Sequence, residues 1–203
     1  MSNMKAIVAS LVVAGAVGIG GVYYFNTSSA NQCNASVVAG GKAAIGGPFT
    51  LVNSKGETVT DKDIIKGPTL IYFGYTFCPD VCPFDTARNA EAVDILDAKG
   101  ISVQPVFISI DPGRDDPETV GDFAENVHER MIGLTGSPEQ VKAASKAYKT
   151  YYRKNGDDPE DYLMDHSTFT YLVGPDGFWN YYKRDTTPEE MAESVACFVK
   201  QHS

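Results

Sequence analysis

The chain has 203 residues, of which 43% are hydrophobic, and a formal net charge of −9 at pH 7. Acidic residues are spread along the whole chain and no Lys/Arg-rich block occurs, which excludes nucleic acid as an expected partner. Behind a short apolar leader, the remainder is long enough for one ordinary domain with a single hydrophobic core.

The leader is an uncharged apolar run at residues 6–25, with the sequence AIVASLVVAGAVGIGGVYYF. As a helix it would be roughly 30 Å long, about the thickness of the hydrocarbon core of a bilayer. We therefore predict a membrane anchor at residues 1–25 that forms a single transmembrane helix. A cleaved secretory signal that ends near residues 28–30 is the alternative. Because Lys5 is the only charged side chain ahead of the run, both interpretations export the rest of the chain.

Residues 26–47 are rich in Ser, Asn, Ala and Gly and have no apolar periodicity, which predicts a flexible tether. The folded domain is predicted at residues 48–203. It opens with an N-terminal β-hairpin, because two short strand patterns, at 49–52 and 57–60, flank a turn that ends in Gly56.

A strand, a helix and a second strand follow the hairpin. Residues 68–75 (PTLIYFGY) form a near-continuous apolar run, which is typical of a strand buried on both faces of a sheet. A helix is predicted at residues 83–99 and is closed by Gly100. A second buried strand is predicted at residues 101–110. The three elements form a βαβ unit, which pairs parallel strands through a right-handed crossover.

The remaining elements are two helices around a short strand, then a hairpin and a final helix. They are predicted at residues 117–130, 131–134, 138–152, 166–173, 178–183 and 188–201. Together with the earlier elements, this order predicts an α/β domain with a mixed central sheet.

Cys78 and Cys82 lie in the sequence CPDVCP, between the first buried strand and the helix after it. Backbone N–H groups at the start of a helix stabilise negative charge, so thiolates are favoured at this place. A helix begun at Cys78 would contain Pro83, which breaks a helix interior. We therefore predict Cys82 as the N-cap and Pro83 as the first helical residue. The loop ahead of Cys82 could close a disulfide or place both sulfurs on one metal ion.

Other interpretations of this cysteine pair are open. A structural disulfide that closes so short a loop would constrain the unfolded chain little. A structural zinc site would require four protein ligands. A thioredoxin-type oxidoreductase would have the C-x-x-C spacing and is the main rival. His166 is the candidate third ligand, although a lone histidine at a strand start is more often a hydrogen-bonded surface or core residue.

Two further acidic residues follow the second buried strand. Asp111 and Asp115 come after its carboxyl end, where α/β proteins place functional loops. They are candidates for docking or for tuning the site, and a solvated acidic turn is the alternative. Asp80, inside the cysteine loop, is interpreted as a turn residue.

Three segments resemble the Sco (SenC) family of copper chaperones, thioredoxin-fold proteins involved in assembling the binuclear copper A centre of cytochrome c oxidase. YFGYTFCPDVCP at 72–83 is similar to the family's aromatic strand followed by C-x-x-x-C-P. SIDPGRD at 109–115 is similar to its S-x-D-P-x-R-D loop, and DHS at 165–167 to its D-H-S/T motif with the copper-binding histidine. The resemblance implies a thioredoxin-like fold with a copper ion held by Cys78, Cys82 and His166.

The resemblance further favours a metallochaperone over an enzyme and leaves thiol–disulfide oxidoreductase activity of that metallochaperone open. It would bind Cu(I), with Cu(II) as a second candidate, and deliver copper to the copper A centre or keep that centre reduced. The implied partners are the copper A-bearing subunit of cytochrome c oxidase and a periplasmic dithiol reductant, because an oxidised cysteine pair supplies no thiolates. The implied location is the bacterial inner membrane, single-pass, with the soluble domain in the periplasm. A periplasmic thiol–disulfide oxidoreductase is the alternative function.

Cys33, in the predicted tether, and Cys197, in the last predicted helix, lie outside the three matched segments. In an exported domain we expect these two remaining cysteines to form a disulfide with each other. Two free thiols, or an intermolecular bridge through Cys33, are the alternatives.

Overall fold

The structure is a computed structural model that describes Cys33, Ser36, Val38, Gly41 and residues 44–158 and 161–202. The predicted anchor at residues 1–25 lies outside the described residues, as does most of the predicted tether. Among the residues that are described, none of the helices is both long enough and apolar enough to span a bilayer.

The described part of the chain forms an α/β domain. Its elements are, in order, β1 (Thr50–Asn53), β2 (Thr58–Thr60), α1 (Asp61–Ile64), β3 (Thr69–Gly74), α2 (Val81–Asp97), β4 (Gln104–Ser109), α3 (Pro117–Val127), β5 (Ile132–Thr135), α4 (Pro138–Ala147), β6 (Tyr152–Asn155), β7 (Leu163–His166), β8 (Thr170–Gly174), β9 (Gly177–Tyr182) and α5 (Pro188–His202).

Seven of these strands form one mixed sheet in the order β2-β1-β5-β4-β3-β8-β9. β3, β4 and β5 are parallel neighbours, whereas β8 pairs antiparallel with both β3 and β9. On the other side, β1 pairs antiparallel with β2 and with β5. The predicted parallel βαβ unit is therefore confirmed as β3-α2-β4, and the predicted mixed sheet is confirmed with it.

The central strand β3 is buried on both faces, as its apolar run predicts. On one face, Tyr72 donates a hydrogen bond from its hydroxyl to Asp85 of α2, over 3.0 Å. On the opposite face, the ring of Phe73 packs 5.4 Å from that of Tyr148, at the end of α4, and 6.0 Å from that of Tyr171 on β8. Helical segments thus cover both sides of the strand that leads into the cysteine loop.

Helix α2 begins two residues earlier than predicted. Its first residue is Val81 and Asp80 holds the N-cap position, so Cys82 and Pro83 are the second and third helical residues. Proline is tolerated there because the first four N–H groups of a helix have no intrahelical acceptor. The predicted assignment of Cys82 as N-cap is wrong, and its N–H group points back to the sulfur of Cys78 at 3.4 Å.

His166 does not open a strand of the main sheet. It ends β7, which pairs antiparallel with β6 in a separate two-stranded ribbon, and β8 begins only at Thr170. The predicted helix at 138–152 ends at Ala147, and its last predicted residue belongs to β6. The sequence of β6, YRKN, is polar and half-buried or exposed along its length, so it carries no alternation that predicts a strand.

Helix α4 ends in a tight turn with Lys149 in the left-handed region, at φ 57°. Thr150 N–H donates to the carbonyl of Ser145 and Lys149 N–H to that of Lys146, the two bonds of a Schellman motif. Glycine usually occupies this position because a side chain there costs free energy. The turn directs the chain out of the helix and into the ribbon that carries His166.

Replacing Lys149 with glycine is expected to stabilise the domain by roughly 0.5–1 kcal/mol, the left-handed strain relieved minus the extra entropy of glycine in the unfolded chain. Urea unfolding would measure this change. Lys142→Gly, at an exposed position inside α4, is the matched control and is expected to cost about 1 kcal/mol. Equal destabilisation by both substitutions would contradict this account of the turn.

Candidate metal centre

The structure brings together the three residues that the sequence suggested as ligands. The sulfur atoms of Cys78 and Cys82 and a ring nitrogen of His166 all lie within 4.8 Å of one another. The cysteines come from the end of the β3–α2 loop and the first turn of α2, and the histidine comes from the last position of β7. Two segments far apart in the chain thus meet at the carboxyl end of β3.

Cys78 is set up to be a thiolate. Its sulfur accepts a hydrogen bond from the Cys82 N–H group at 3.4 Å, and the Cys82 thiol, the Asp80 N–H group and the Tyr75 hydroxyl are further nearby donors that favour the charged form. These donors, the Cys82 thiol foremost, lower the pKa of Cys78 to about 4 although burial opposes the charge. The same contact with Cys78, reinforced by burial, raises the pKa of Cys82. In the reduced, metal-free pair, the single negative charge therefore resides on Cys78.

His166 is held in the tautomer that can bind a metal. Its Nδ1 atom lies 2.8 Å from the backbone carbonyl of Ser167, which can only accept, so the network assigns the ring proton to Nδ1. Nε2 is then the atom with a free lone pair, and it faces the Cys82 sulfur at 3.5 Å. The rings of Tyr72 and Tyr75 meet the imidazole edge-on, at 6.3 and 5.9 Å, which fixes its orientation.

The two acidic residues after β4 are not solvated. Asp115 is fully buried and Asp111 is 4% exposed, so the interpretation as a solvated acidic turn is wrong. Asp115 accepts hydrogen bonds from the Thr76 N–H and hydroxyl groups and from the Ser109 hydroxyl, at 3.0, 2.6 and 2.6 Å. Burial raises the pKa of Asp115 in spite of these donors. The carboxylate ties the end of β4 to the chain that enters the cysteine loop.

The donor set suits a soft metal ion. Two thiol sulfurs and one imidazole are ligands that Cu(I) and Zn²⁺ both accept. Two sulfurs bound to one ion by bonds of about 2.3 Å can be up to roughly 4.6 Å apart, which is close to the 4.8 Å within which all three donor atoms lie. With three protein donors, the coordination shell leaves room for an incoming ligand.

A second group of possible ligands, Asp94, Asp97 and His128, does not have the same organisation. The Nδ1 atom of His128 accepts a hydrogen bond from the Arg130 N–H at 3.0 Å, so the ring proton lies on Nε2, 3.4 Å from Asp94. Asp97 is paired with the Arg130 guanidinium. Protons and a cation occupy the positions that a metal would require, and we interpret the group as a surface ion-pair cluster.

The four cysteines are in two chemical states. Cys78 and Cys82 are free thiols, whereas Cys33 and Cys197 are disulfide-bonded. The motif cysteines are therefore kept apart from disulfide bonding and are available as ligands.

Gly74 is a part of the site that sequence reasoning missed. A Cβ atom at this position would lie 2.9 Å from the Cys82 sulfur and 2.9 Å from the rings of Phe107 and Tyr72, closer than atoms pack without displacement. The last residue of β3 must therefore lack a side chain for Cys82 to occupy its place. The only sequence signal is a glycine inside an otherwise apolar strand, which marks a close approach.

Replacing Gly74 with alanine is expected to cost roughly 1–3 kcal/mol of unfolding free energy, because the sulfur or a packed ring must move. Chemical denaturation of the reduced protein would measure the loss. Gly67→Ala is the control, since a Cβ there meets nothing within 4 Å. If the two variants were equally stable, the proposed crowding around Cys82 would be wrong.

The depressed pKa of Cys78 predicts a flat pH profile for its alkylation. A thiol of ordinary pKa near 8.5 loses about 100-fold in thiolate between pH 8 and pH 6, whereas Cys78 should change less than about 2-fold because it stays ionised throughout. Iodoacetamide labelling of the reduced protein, followed by peptide mass analysis, would show this. Tyr75→Phe removes one donor and should move the onset of reactivity to higher pH. A profile with an ordinary midpoint in the unsubstituted protein would refute the thiolate assignment.

A mixed sheet with a cysteine pair at the start of its first crossover helix is typical of a thioredoxin-like domain. The histidine beside the two cysteines is typical of a metal-binding member of that class. Residues 38–200 match the family model described as SCO1/SenC. The chain belongs to the SCO1/SenC family.

Relatives and solved structures agree with this assignment. Protein SenC of Rhodobacter capsulatus is 48% identical over 202 residues, which cover 98% of this chain and 91% of that protein. The crystal structure of Arabidopsis thaliana ScoI with copper bound is similar with a TM-score of 0.74 and 39% identity, covering 78% of this chain and 99% of that one. BsSco, described as having a disulfide switch and as a member of the Sco family of cytochrome c oxidase assembly proteins, has a TM-score of 0.60 and 27% identity, covering 76% and 94%.

Proposed function

We propose that this protein is a copper chaperone that carries one Cu(I) ion between Cys78, Cys82 and His166. The observation that carries the proposal is the convergence of the two sulfurs and Nε2 of His166 within 4.8 Å, with the imidazole already in the ligating tautomer. The copper-bound relative supports copper as the metal, because zinc would fit the same ligand types.

The open shell suits delivery of a metal rather than catalysis on it. Three protein donors hold Cu(I) while leaving a side from which a thiolate of a target protein can attack. Copper then passes through a mixed complex with ligands from both proteins and is never free in solution. We propose the copper A-bearing subunit of cytochrome c oxidase as the target, supported by the description of BsSco as belonging to a family of oxidase assembly proteins.

The redox state of the cysteine pair would control loading. A Cys78–Cys82 disulfide has no thiolate to offer, so a partner dithiol must first reduce it and become a disulfide itself. The thiolate on Cys78 and the protonated, buried Cys82 also match the attacking and resolving thiols of disulfide exchange. In the reduction step that precedes copper loading these roles are reversed, because a thiolate of the partner attacks the disulfide and the cysteines are the leaving groups, a role that the low pKa of Cys78 favours.

We further propose that the domain at residues 48–203 is held in the periplasm by a single span in the inner membrane, followed by the tether at residues 26–47. The support is the apolar run at residues 6–25 together with two cysteines in disulfide linkage, a state typical of exported proteins.

Copper binding is tested by anaerobic Cu(I) competition titration of the reduced protein. One tight site per chain is expected, weakened in Cys78→Ser, Cys82→Ser and His166→Ala because each loses a direct ligand. The loss should exceed the roughly 10–100-fold that removal of an outer-shell partner costs. His128→Ala removes an imidazole outside the site and should leave the affinity unchanged. Unchanged affinity in His166→Ala would refute the three-ligand site and favour a disulfide oxidoreductase.

A further inference from the structure

We propose that Arg114 is a positioning residue that joins the segment carrying Cys78 to the segment carrying His166 and thereby keeps the three donors within reach of one ion. This inference rests on the proposed function. Arg114 touches neither the cysteines nor the histidine. It acts through Phe77, the neighbour of Cys78, and through Tyr162, which immediately precedes β7.

The need for such a residue follows from the sheet topology. The ribbon of β6 and β7 shares no strand pairing with the seven-stranded sheet in the described part of the chain. Its placement, and with it the placement of His166, therefore depends on contacts other than strand pairing, among them the burial of Met164 of β7 in the hydrophobic core. At the end of β7 those contacts are the rings of Tyr72 and Tyr75 against the imidazole. At the beginning of β7 they are made by Tyr162.

Arg114 is enclosed between the two segments. Its guanidinium carbon lies 3.6 Å from the centre of the Tyr162 ring and 5.0 Å from that of the Phe77 ring, both within the range of cation–π contacts. The side chain is only 14% exposed, so these contacts act in a partly desolvated setting where they are strongest. A planar guanidinium can stack on an aromatic ring while Nε donates to Asp111, whereas an ammonium makes only a point-charge contact, as that of Lys154 does 4.0 Å from the centre of the same Tyr162 ring.

Asp111 fixes the position of both groups. One carboxylate oxygen accepts from Arg114 Nε at 2.6 Å and the other accepts from the Tyr162 hydroxyl at 2.7 Å. Asp111 is buried, and its charge is compensated by these donors. Asp111 thus fixes the position of the guanidinium relative to the Tyr162 ring on which it stacks. It also attaches the loop after β4 directly to the start of β7.

The same loop also holds the cysteine side. Asp115 accepts two hydrogen bonds from Thr76, as described above, and Arg114 covers the Phe77 ring that follows. The loop at residues 111–115 therefore contacts both ligand-bearing segments, and its Arg114 lies over the rings of Phe77, Tyr162 and, at 5.8 Å, Tyr75. Losing Arg114 would weaken the attachment of the ribbon to this loop, leaving the Tyr162–Asp111 hydrogen bond, while the cysteine loop stays attached through Asp115.

The test is a double-mutant cycle of Arg114→Ala with His166→Ala, read by Cu(I) competition. Arg114→Ala is expected to weaken Cu(I) binding about 10-fold, within the range for loss of an outer-shell partner. In the His166→Ala background it should have no further effect, because there is no imidazole left to position. Arg114→Lys should be nearly as weak as Arg114→Ala, since it keeps the charge but not the stacking.

A readout without metal separates positioning from general stability. In the reduced apoprotein, the imidazole proton signals of His166 should be shifted by the rings of Tyr72 and Tyr75. Arg114→Ala should move them towards values of a free histidine, whereas the signals of His128 should stay in place. Arg130→Ala, which removes an arginine paired to Asp97 on another surface, is the matched control and should change neither the affinity nor the His166 signals.

The outcomes discriminate between the two proposals. Suppose that His166→Ala weakens Cu(I) binding. The positioning role of Arg114 is then wrong if Arg114→Ala has no effect on binding, or if it weakens binding by the same factor with and without His166. The copper site stands in both cases. If His166→Ala has no effect on binding, the proposed function fails first, while displaced His166 signals in Arg114→Ala would still support the structural link.

Discussion

The rest of this site depends on a buried negative charge at Cys78. A thiolate with little exposed surface is costly unless donors surround it, and here they come from the first turn of α2, the Cys82 thiol and the Tyr75 hydroxyl. This arrangement depends on the start of α2 at Val81, which places Cys82 in the first turn of the helix. It also depends on Gly74, because a side chain there would displace the Cys82 sulfur. A soft cation is the natural counterpart of such a charge, since it replaces a proton on Cys82 and takes both sulfurs.

The histidine is attached to this centre more loosely than the cysteines are. The cysteines follow directly from a strand in the middle of the sheet, buried on both faces. His166 comes from a ribbon outside that sheet, held by aromatic contacts at one end and by the Arg114–Asp111–Tyr162 group at the other. Such a division suits the proposed role of a copper chaperone, because one ligand can move without unfolding the core.

The elements that the sequence predicted well are those with strong apolar patterns. β3, α2 and β4 were predicted in the right order and pairing. The ribbon was missed because β6 is a short polar segment whose partner is β7 alone. The start of α2 was misplaced because a proline at the third helical position is as acceptable as one at the first, a choice that only the surrounding contacts decide.

By itself, the sequence determined the class of fold and the placement of both cysteines between a buried strand and a helix. Through resemblance, it also gave His166 as the candidate third ligand. These are local properties, since apolar periodicity and residue spacing are written along the chain. Only the tertiary structure decided that Nε2 of His166 lies 3.5 Å from a sulfur 84 positions away. It likewise decided that Asp111 and Asp115 are buried and hydrogen-bonded to neighbouring segments, instead of lying in a solvated turn. Contacts between distant segments depend on how the sheet and the ribbon pack, and no short pattern encodes that packing.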